Sequence, residues 1–271
     1  MTTDDEWRQW GIRDPYYGVL TNPQFRLGVL SPEAKKEFFA SGQHHVDYVL
    51  DTIRRHFDAT FSPERVLDFG CGVGRALIPF APLSREVVGM DIAEAMLAEA
   101  RINCDRANVE NVTLVGSDDL LSTVRGEFDL VHSLIVLQHL ETVRGRSIFA
   151  ELVRKISPGG YGAIHVTFGW TKYEDMYGQP PPFPIEAGDS DNSPFRAIVD
   201  RWLKRLGLGH KPPEAMHPPD QIIGDPEMQM NYYNLSELMF IVHRAGVYQV
   251  FSDFTDHGGA IGVFLFFRKG V

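Results

Sequence analysis

Cysteine is scarce in this chain, and that scarcity limits the kinds of protein it can be. Only Cys71 and Cys104 occur among 271 residues. Cys71 lies inside a glycine-rich turn, so we expect no structural disulfide. Two cysteines are also too few for a structural zinc site. We therefore expect a protein of the reducing cytoplasm that binds no metal.

Long apolar runs and positive charge are also in short supply. No apolar stretch approaches the ~18 residues of a membrane span, and the acidic, polar first ten residues predict no secretory signal peptide. Acidic residues outnumber Lys and Arg by 36 to 26, which gives a formal net charge of −10. Surfaces that bind nucleic acid are usually basic, and the basic stretch at 201–211 is interpreted as a solvated helix face. We expect neither a membrane nor a nucleic acid as partner.

Strand and helix patterns alternate between residues 64 and 168. Short apolar segments predict five strands, at residues 65–69, 86–91, 112–115, 128–134 and 162–168. Between them, amphipathic patterns predict helices over residues 75–82, 93–107 and 142–156. Such alternation is typical of a parallel sheet whose strands are joined by crossover helices.

The rest of the sequence differs in texture from this core. Residues 1–42 are rich in aromatic and turn-forming residues, and residues 43–62 have a helical pattern. Residues 170–230 are rich in proline but contain an amphipathic stretch, and long irregular segments inside a compact domain are often functional lids. We therefore interpret 170–230 as a cap inserted between the core at 43–169 and its completion at 231–271. The last part predicts a helix at 237–245, capped by Ser236, and strands at 247–254 and 261–268.

The most informative segment has the sequence VLDFGCGVGR and starts at Val66. Its apolar run ends in Asp68, and three glycines then alternate at Gly70, Gly72 and Gly74. Glycine tolerates positive φ and lets a ligand approach bare backbone, and the amides of the following helix would face the same ligand. A dinucleotide-binding turn has the spacing G-x-G-x-x-G. Here Arg75 occupies the place of the third glycine, which argues against a nicotinamide dehydrogenase.

The order D-x-G-x-G-x-G resembles motif I of the class I methyltransferases, which use S-adenosylmethionine. The resemblance implies an α/β fold with a seven-stranded, mostly parallel, doubly wound sheet whose last strand is antiparallel. It also implies S-adenosyl-L-methionine as the cofactor, with the turn bordering its methionine part. The residues assigned to that contact are Asp68, Gly70, Cys71, Gly72 and Gly74.

Further cofactor contacts follow from the same resemblance. Asp91 ends the second predicted strand, where its carboxylate can accept both ribose hydroxyl protons; capping the next helix is its alternative role. Ile92 would pack on the adenine, and Met96 would either add to that contact or belong to the core. Asp118, or Asp119 beside it, would accept a hydrogen bond from the adenine amine, the alternative being two solvated loop acids.

Residues 128–140, FDLVHSLIVLQHL, resemble the fourth-strand motif of the family. Ser133 and Leu134 would lie at the carboxyl end of that strand, where open α/β sheets bind their ligands. Gln138 and His139 would then face the methyl group and its acceptor. A histidine with a pKa near 7 suits the general base that an alcohol acceptor needs; a capping or packing role is the alternative for His139.

Two other histidines compete for the role of base. His165 lies in the fifth predicted strand, with a buried structural role as its alternative, and His257 lies in the loop between the last two strands. The N-terminal segment at residues 38–42 would fold over the cofactor and bring Gly42 to it, core packing being the alternative.

The methyl acceptor is the part of the function that the sequence constrains least. The loop after the fourth strand lacks the Asn/Asp-Pro-Pro-aromatic signature of enzymes that methylate amino groups of bases or of glutamine. A small polar metabolite or a sugar, methylated on oxygen, fits best. The alternatives are an amino group in a small molecule or protein, and a protein that binds S-adenosylmethionine without catalysis. The oligomeric state is left open, with a homodimer as one option.

Overall fold

The computed structural model describes residues 2–171 and 224–271 and has a seven-stranded sheet at its centre. The strands are β1 (Arg65–Phe69), β2 (Glu86–Asp91), β3 (Val112–Gly116), β4 (Phe128–Ser133), β5 (Ile156–Trp170), β6 (Gln249–His257) and β7 (Ala260–Arg268). Their spatial order is β3-β2-β1-β4-β5-β7-β6. The pairs within β1–β5 are parallel, and β7 runs antiparallel to both β5 and β6. The predicted mostly parallel sheet with an antiparallel last strand is confirmed.

Helices pack on both faces of this sheet. They are α1 (Thr3–Arg13), α2 (Pro15–Val19), α3 (Pro32–His56), α4 (Leu77–Phe80), α5 (Glu94–Ala107), α6 (Thr142–Arg154) and α7 (Leu235–Arg244). Short 3₁₀ turns lie at Pro23–Phe25, Ala81–Leu83 and Leu137–His139. Within the described ranges, every helix is too short or too polar to cross a bilayer.

Successive strand residues face the two sides of the sheet, as the two-residue period requires. Leu67 of β1 packs in an apolar cluster with α6 and α7, whereas Val66 packs in a second cluster with α3, α4 and α5. Continuous burial along β1 and β4 is expected of parallel strands covered on both faces. The core therefore lies in two layers, one on each side of the sheet.

The N-terminal helices form a third apolar cluster against α5. Tyr17 packs there with Phe38 of α3 and Met96 of α5. Arg26 lies 3.4 Å from the centre of the Tyr17 ring and forms an ion pair of 2.6 Å with Asp225. The N-terminal segment is thus held both by α5 and by the chain that follows residue 223, and it lies over the glycine turn.

Helix α3 begins at Pro32, well before the helix predicted at 43–62. Ser31 caps it by accepting a hydrogen bond from the Ala34 amide at 3.1 Å, and proline fits the first helical position. The helix therefore runs without a break across residue 42, where we expected the N-terminal segment to end. The cap predicted at 170–230 falls largely on residues 172–223, which lie outside the described residues.

Other element boundaries also differ from the predicted ones. Asn234, not Ser236, caps α7, because its side chain accepts a hydrogen bond from the Ser236 amide. The helix predicted at 75–82 is a single turn followed by a 3₁₀ turn containing Pro82, which has no amide proton to extend the helix. Strand β5 is longer than predicted, since its pairing with β7 continues to Trp170 opposite Ala260.

Tyr233 anchors the chain where it returns to the core after residue 223. Its hydroxyl donates to the Leu137 carbonyl oxygen at 2.7 Å and lies 3.1 Å from that of Leu140. Its backbone amide donates to the Thr167 carbonyl oxygen at 2.8 Å. The ring is 2% exposed, so these polar groups have no access to bulk water. Tyr233 therefore fixes the turn at Leu137–His139 against the end of β5.

Replacing Tyr233 by Phe should lower the free energy of unfolding by about 1–2 kcal/mol, because two buried carbonyl oxygens lose their hydroxyl neighbour. Urea denaturation of the two proteins measures the difference. Tyr248→Phe is the matched control, since Tyr248 is 82% exposed, and it should change stability by no more than about 0.5 kcal/mol. Equal stability of the two variants would contradict the anchoring role.

Candidate active site

A cavity of about 780 Å³ lies at the carboxyl ends of β1, β2 and β4, the edge where open α/β sheets bind ligands. Most of the site residues predicted from the sequence line it, namely Gly70, Gly72, Asp91, Ile92, Met96, Asp118, Asp119, Leu134, His139 and His257. A recess of about 30 Å³ shares four lining residues with the cavity and is also bordered by Asp68, Cys71, Arg75, Ala76 and His132. The predicted residues therefore converge on one region.

The glycine turn forms the floor of the cavity, and two of its glycines are required by their surroundings. Gly70 and Gly72 have φ angles of 73° and 51°, a region that other L residues rarely occupy. A Cβ on Gly70 would lie 2.2 Å from the Val136 side chain, and one on Gly72 would lie 2.5 Å from Val19. The turn consequently presents bare backbone to the cavity.

Asp91 is held at the end of β2 by two backbone donors. Its Oδ2 accepts a hydrogen bond from the Gly72 amide at 3.0 Å, and its Oδ1 accepts one from the Ala93 amide at 2.9 Å. Burial raises the pKa of this carboxyl to about 6, against the lowering effect of the two amides. Each carboxylate oxygen can accept a second hydrogen bond, so Asp91 supports the turn and remains able to bind a ligand hydroxyl.

Asp118 and Asp119 line the cavity, but their carboxylates already have protein partners. Asp118 accepts hydrogen bonds from the Leu120 and Ser122 amides, at 3.0 and 2.9 Å, and from the Ser122 hydroxyl. Asp119 pairs with Arg144 at 2.7 Å, and Arg144 also binds Asp4 of α1 at 2.6 Å. Asp118 thus shapes its own loop, and Asp119 helps to join α1 to α6 at the rim of the cavity.

His139 lies in the 3₁₀ turn after β4, and three contacts surround its ring. Its Nδ1 is 2.8 Å from the Gln229 carbonyl oxygen. A carbonyl only accepts, so Nδ1 carries the proton and the neutral ring has its lone pair on Nε2. Nε2 lies 3.4 Å from the Gln138 amide nitrogen, and the Trp7 ring is 4.7 Å away. Burial lowers the pKa of His139 to about 4, below the value near 7 expected from the sequence.

The two competing histidines occupy different positions. His257 is the last residue of β6 and not part of the loop expected from the sequence; it lines the cavity, and burial lowers its pKa. His165 does not line the cavity; its Nε2 lies 2.9 Å from the Thr255 hydroxyl, and burial lowers its pKa to about 3. The structure thus places His139 and His257 at the cavity and gives His165 a buried position in the sheet.

The recess next to the glycine turn contains charged groups with unused hydrogen-bonding capacity. Asp68 is 2% exposed, and its Oδ1 lies 2.7 Å from His132 Nδ1. Asp68 Oδ2 and Arg75 Nε are buried and have no hydrogen-bond partner among the described residues. Burial of unpaired polar groups is costly. A free carboxylate oxygen and a free guanidinium N–H are therefore available to a ligand here.

Three residues expected at the cofactor line neither the cavity nor the recess. Gly42 faces the backbone of Arg75, where an added Cβ would lie 1.9 Å from the carbonyl oxygen, so this glycine serves the packing of α3. Gly74 shares the positive-φ turn, with φ 90°, but points away from both spaces. The Ser133 hydroxyl is buried without a partner among the described residues.

Several residues of the site were not identified from the sequence. Trp7 and Val19 reach the cavity from the N-terminal helices, and Met228 and Met230 reach it from the chain before α7. His132 pairs with Asp68 through the register of β4 against β1. No local pattern marks these residues, because only the tertiary fold brings them to the site.

Comparison with solved structures supports the fold. The chain aligns with magnesium protoporphyrin IX methyltransferase from Synechocystis PCC 6803, solved with bound SAM, at a TM-score of 0.59 and 16% identity, over 100% of this chain and 98% of that one. It aligns with the apo form of the S-adenosylmethionine-dependent methyltransferase SibL at a TM-score of 0.51 and 16% identity, over 96% of this chain and 63% of that one.

Sequence comparison covers a shorter part of the chain. It is 31% identical over 118 residues to a ubiquinone biosynthesis O-methyltransferase of Maricaulis maris, which is 42% of this chain and 46% of that protein. It is 34% identical over 101 residues to a protein of the same name from Ruegeria sp., 35% of this chain and 41% of that one. The chain thus spans about half the length of the curated relatives it matches.

A family model described as a methyltransferase domain matches residues 66–160. This range starts in β1, includes the glycine turn and Asp91, and ends within β5. Residues 66–160 are therefore similar to a methyltransferase domain, and the chain has the α/β fold of the S-adenosylmethionine-dependent methyltransferases with which it aligns.

Proposed function

We propose that the protein transfers a methyl group from S-adenosyl-L-methionine to an oxygen atom of a small molecule. The observation that carries this proposal is the convergence of Asp91, the bare backbone at Gly70 and Gly72, and His139 on one cavity. At about 780 Å³, the cavity lies in the upper part of the roughly 300–1,000 Å³ typical of ligand pockets. It has room for a nucleoside-containing cofactor and a small acceptor together.

The residues of the site fit this cofactor at both of its ends. Asp68 Oδ2 and Arg75 Nε, which have no hydrogen-bond partner in the described parts of the chain, would bind the ammonium and carboxylate groups of its amino-acid part. Asp91 would accept hydrogen bonds from the ribose hydroxyls, and Ile92 would contact the adenine. When bound, the cofactor supplies an electrophilic methyl group on a sulfonium sulfur.

His139 would act as the general base at Nε2. Its Nδ1–H is committed to the Gln229 carbonyl oxygen, which fixes both the tautomer and the orientation of the ring. Nε2 can then accept the proton of an acceptor hydroxyl as the oxygen forms its bond to carbon. The Gln138 amide, 3.4 Å from Nε2, would orient the same hydroxyl.

The described surroundings of His139 favour a less polar acceptor than a sugar. The apolar side chains that line the cavity here are those of Trp7, Leu140, Ile148, Met228 and Met230. A sugar would place its remaining hydroxyls against this wall without partners, which is unfavourable. We infer an acceptor with a hydroxyl group on a largely apolar body. The names of the relatives from Maricaulis maris and Ruegeria sp. are consistent with transfer to oxygen.

The Asp91→Asn variant should bind S-adenosylhomocysteine at least tenfold more weakly than the wild type. The substitution removes the negative charge and one acceptor oxygen, and each hydrogen bond to a charged group contributes roughly 1.5–3 kcal/mol. Isothermal titration calorimetry measures the affinity, and circular dichroism checks that the fold is kept. Asp105→Asn, at an exposed position of α5, is the control. Equal affinities for wild type and Asp91→Asn would rule out the ribose role.

The His139→Ala variant should lower the turnover rate at least a hundredfold while cofactor affinity stays within about threefold, because general-base catalysis typically contributes 10²–10⁴-fold. Turnover is measured as release of S-adenosylhomocysteine with acceptors drawn from a panel of hydroxylated small molecules. His243→Ala, at an exposed position of α7, should retain the full rate. If His139→Ala keeps more than a tenth of the rate, His257 becomes the better candidate, or the acceptor needs no base. Cofactor binding by a wild type without turnover on any acceptor would identify a binding protein instead.

The pH dependence gives an independent test of His139. Burial lowers its pKa to about 4 in the free protein, so Nε2 is unprotonated throughout the range from pH 6 to 8. With S-adenosylmethionine at saturating concentration, so that titration of Asp91 near its pKa of about 6 does not limit cofactor binding, the value of kcat/KM for the acceptor should therefore show no histidine titration in that range and should fall only as the pH approaches 4. Far-UV circular dichroism at each pH separates this fall from acid unfolding. A rise with an apparent pKa of 6–7 would point to a different base.

A further inference from the structure

Three side chains, linked in series by two hydrogen bonds, extend from the recess to α3. Asp68 Oδ1 lies 2.7 Å from His132 Nδ1, and His132 Nε2 lies 2.9 Å from Nε2 of His45 on α3. Asp68 and His132 are 2% and 1% exposed, and His45 is half-buried. The ring of Phe264 packs against both histidines. The proposed function gives a role to Asp68, the first of these three side chains, but none to the two histidines.

The chemistry of the three groups fixes how the protons are arranged. An ionised carboxylate only accepts, so His132 Nδ1 donates to Asp68. The two Nε2 atoms share one proton, because two bare nitrogens or two N–H groups at 2.9 Å would repel each other. His45 is neutral, since burial holds its pKa well below the ordinary value. Each side chain is therefore held in one orientation by its neighbour.

The His132 bond is the one hydrogen bond that the described residues give to the Asp68 side chain. The bond holds Oδ1 in place, and the planar carboxyl group then fixes the position of Oδ2, which has no hydrogen-bond partner among the described residues. Asp68 borders the recess. The donor on His132 thus determines where the unused carboxylate oxygen lies relative to the recess.

We propose that His132, held by His45, is a positioning residue that fixes the orientation of Asp68, so that its Oδ2 is available to the α-ammonium group of the cofactor. The proposal rests on the proposed use of S-adenosylmethionine. It assigns the Asp68 side of the recess to the ammonium group, next to Arg75, which would bind the carboxylate group. If His132 acts in this way, its replacement should lower the affinity only for ligands that carry an ammonium group.

Calorimetric titration with two ligands tests this selectivity. S-adenosylhomocysteine carries the amino-acid end, whereas 5′-methylthioadenosine has the same nucleoside and thioether without it. In His132→Leu, affinity for S-adenosylhomocysteine should fall at least about tenfold, while affinity for methylthioadenosine should stay within about twofold. His132→Asn should recover most of the loss, because its side-chain amide offers an N–H near the position of Nδ1. His165→Leu removes another buried histidine of the sheet and should leave the ratio of the two affinities unchanged.

His45, the half-buried member of this hydrogen-bonded series, provides a second variant that disturbs the core less. His45→Leu removes the other partner of His132 and should weaken S-adenosylhomocysteine binding about threefold without affecting methylthioadenosine. Equal losses for the two ligands in both variants would show a merely structural role and overturn the proposal, as would unchanged binding of S-adenosylhomocysteine. Wild-type protein that binds neither ligand would instead refute the proposed cofactor itself.

Discussion

The close packing of two valines against the glycine turn is the contact on which the site depends. Val136, from the loop after β4, and Val19, from α2, occupy the space that side chains at Gly70 and Gly72 would fill. Through this contact, segments far apart in the sequence meet above the end of β1. Any larger residue in the turn would displace the N-terminal helices on one side or the loop leading to His139 on the other. Bare backbone is thus needed for assembly of the site as well as for ligand access.

Buried carboxylates are the second constraint, because each needs donors to remain charged. Asp91 receives two backbone amides from its own vicinity, at Gly72 and Ala93. Among the residues that the structure describes, Asp68 receives one donor, His132, from a neighbouring strand, and one of its oxygens has no partner. The difference matches the proposed ligand groups. Neutral ribose hydroxyls can share a carboxylate whose oxygens each already accept one amide, whereas an ammonium group gains most from a carboxylate oxygen that has no other donor.

The parts of the molecule that the sequence predicted are those governed by local pattern. The strands at 65–69 and 86–91, the glycine turn and Asp91 at the end of β2 all follow from apolar runs and from glycine spacing. The role of Gly42 did not follow, because it depends on α3 starting at Pro32 and passing the backbone of Arg75. Long-range pairing explains the other omissions. The register of β1 against β4 sets His132 beside Asp68, and no spacing within either strand encodes it.

The sequence also suggested His139 as the general base, but it gave no indication of how far its pKa would be shifted. Its environment comes from three separate segments: the turn after β4, Trp7 of α1, and Gln229 in the chain that precedes α7. Together they fix the orientation of the ring and bury it. Burial lowers the pKa of His139 to about 4, so the ring is neutral. In the proposed reaction, so weak a base could not ionise an aliphatic alcohol in advance, and proton transfer would have to accompany formation of the C–O bond.

The low basicity of His139 and the apolar wall of the cavity favour the same kind of acceptor. Hydroxyl groups on aromatic rings ionise near pH 10, as tyrosine does, and therefore give up their proton more readily than aliphatic alcohols. An aromatic body would also pack favourably against the Trp7 ring and the methionine side chains that line this end of the cavity. The electrostatics of His139 and the apolar surface around it thus favour the same acceptor, a hydroxyl group carried on an aromatic ring.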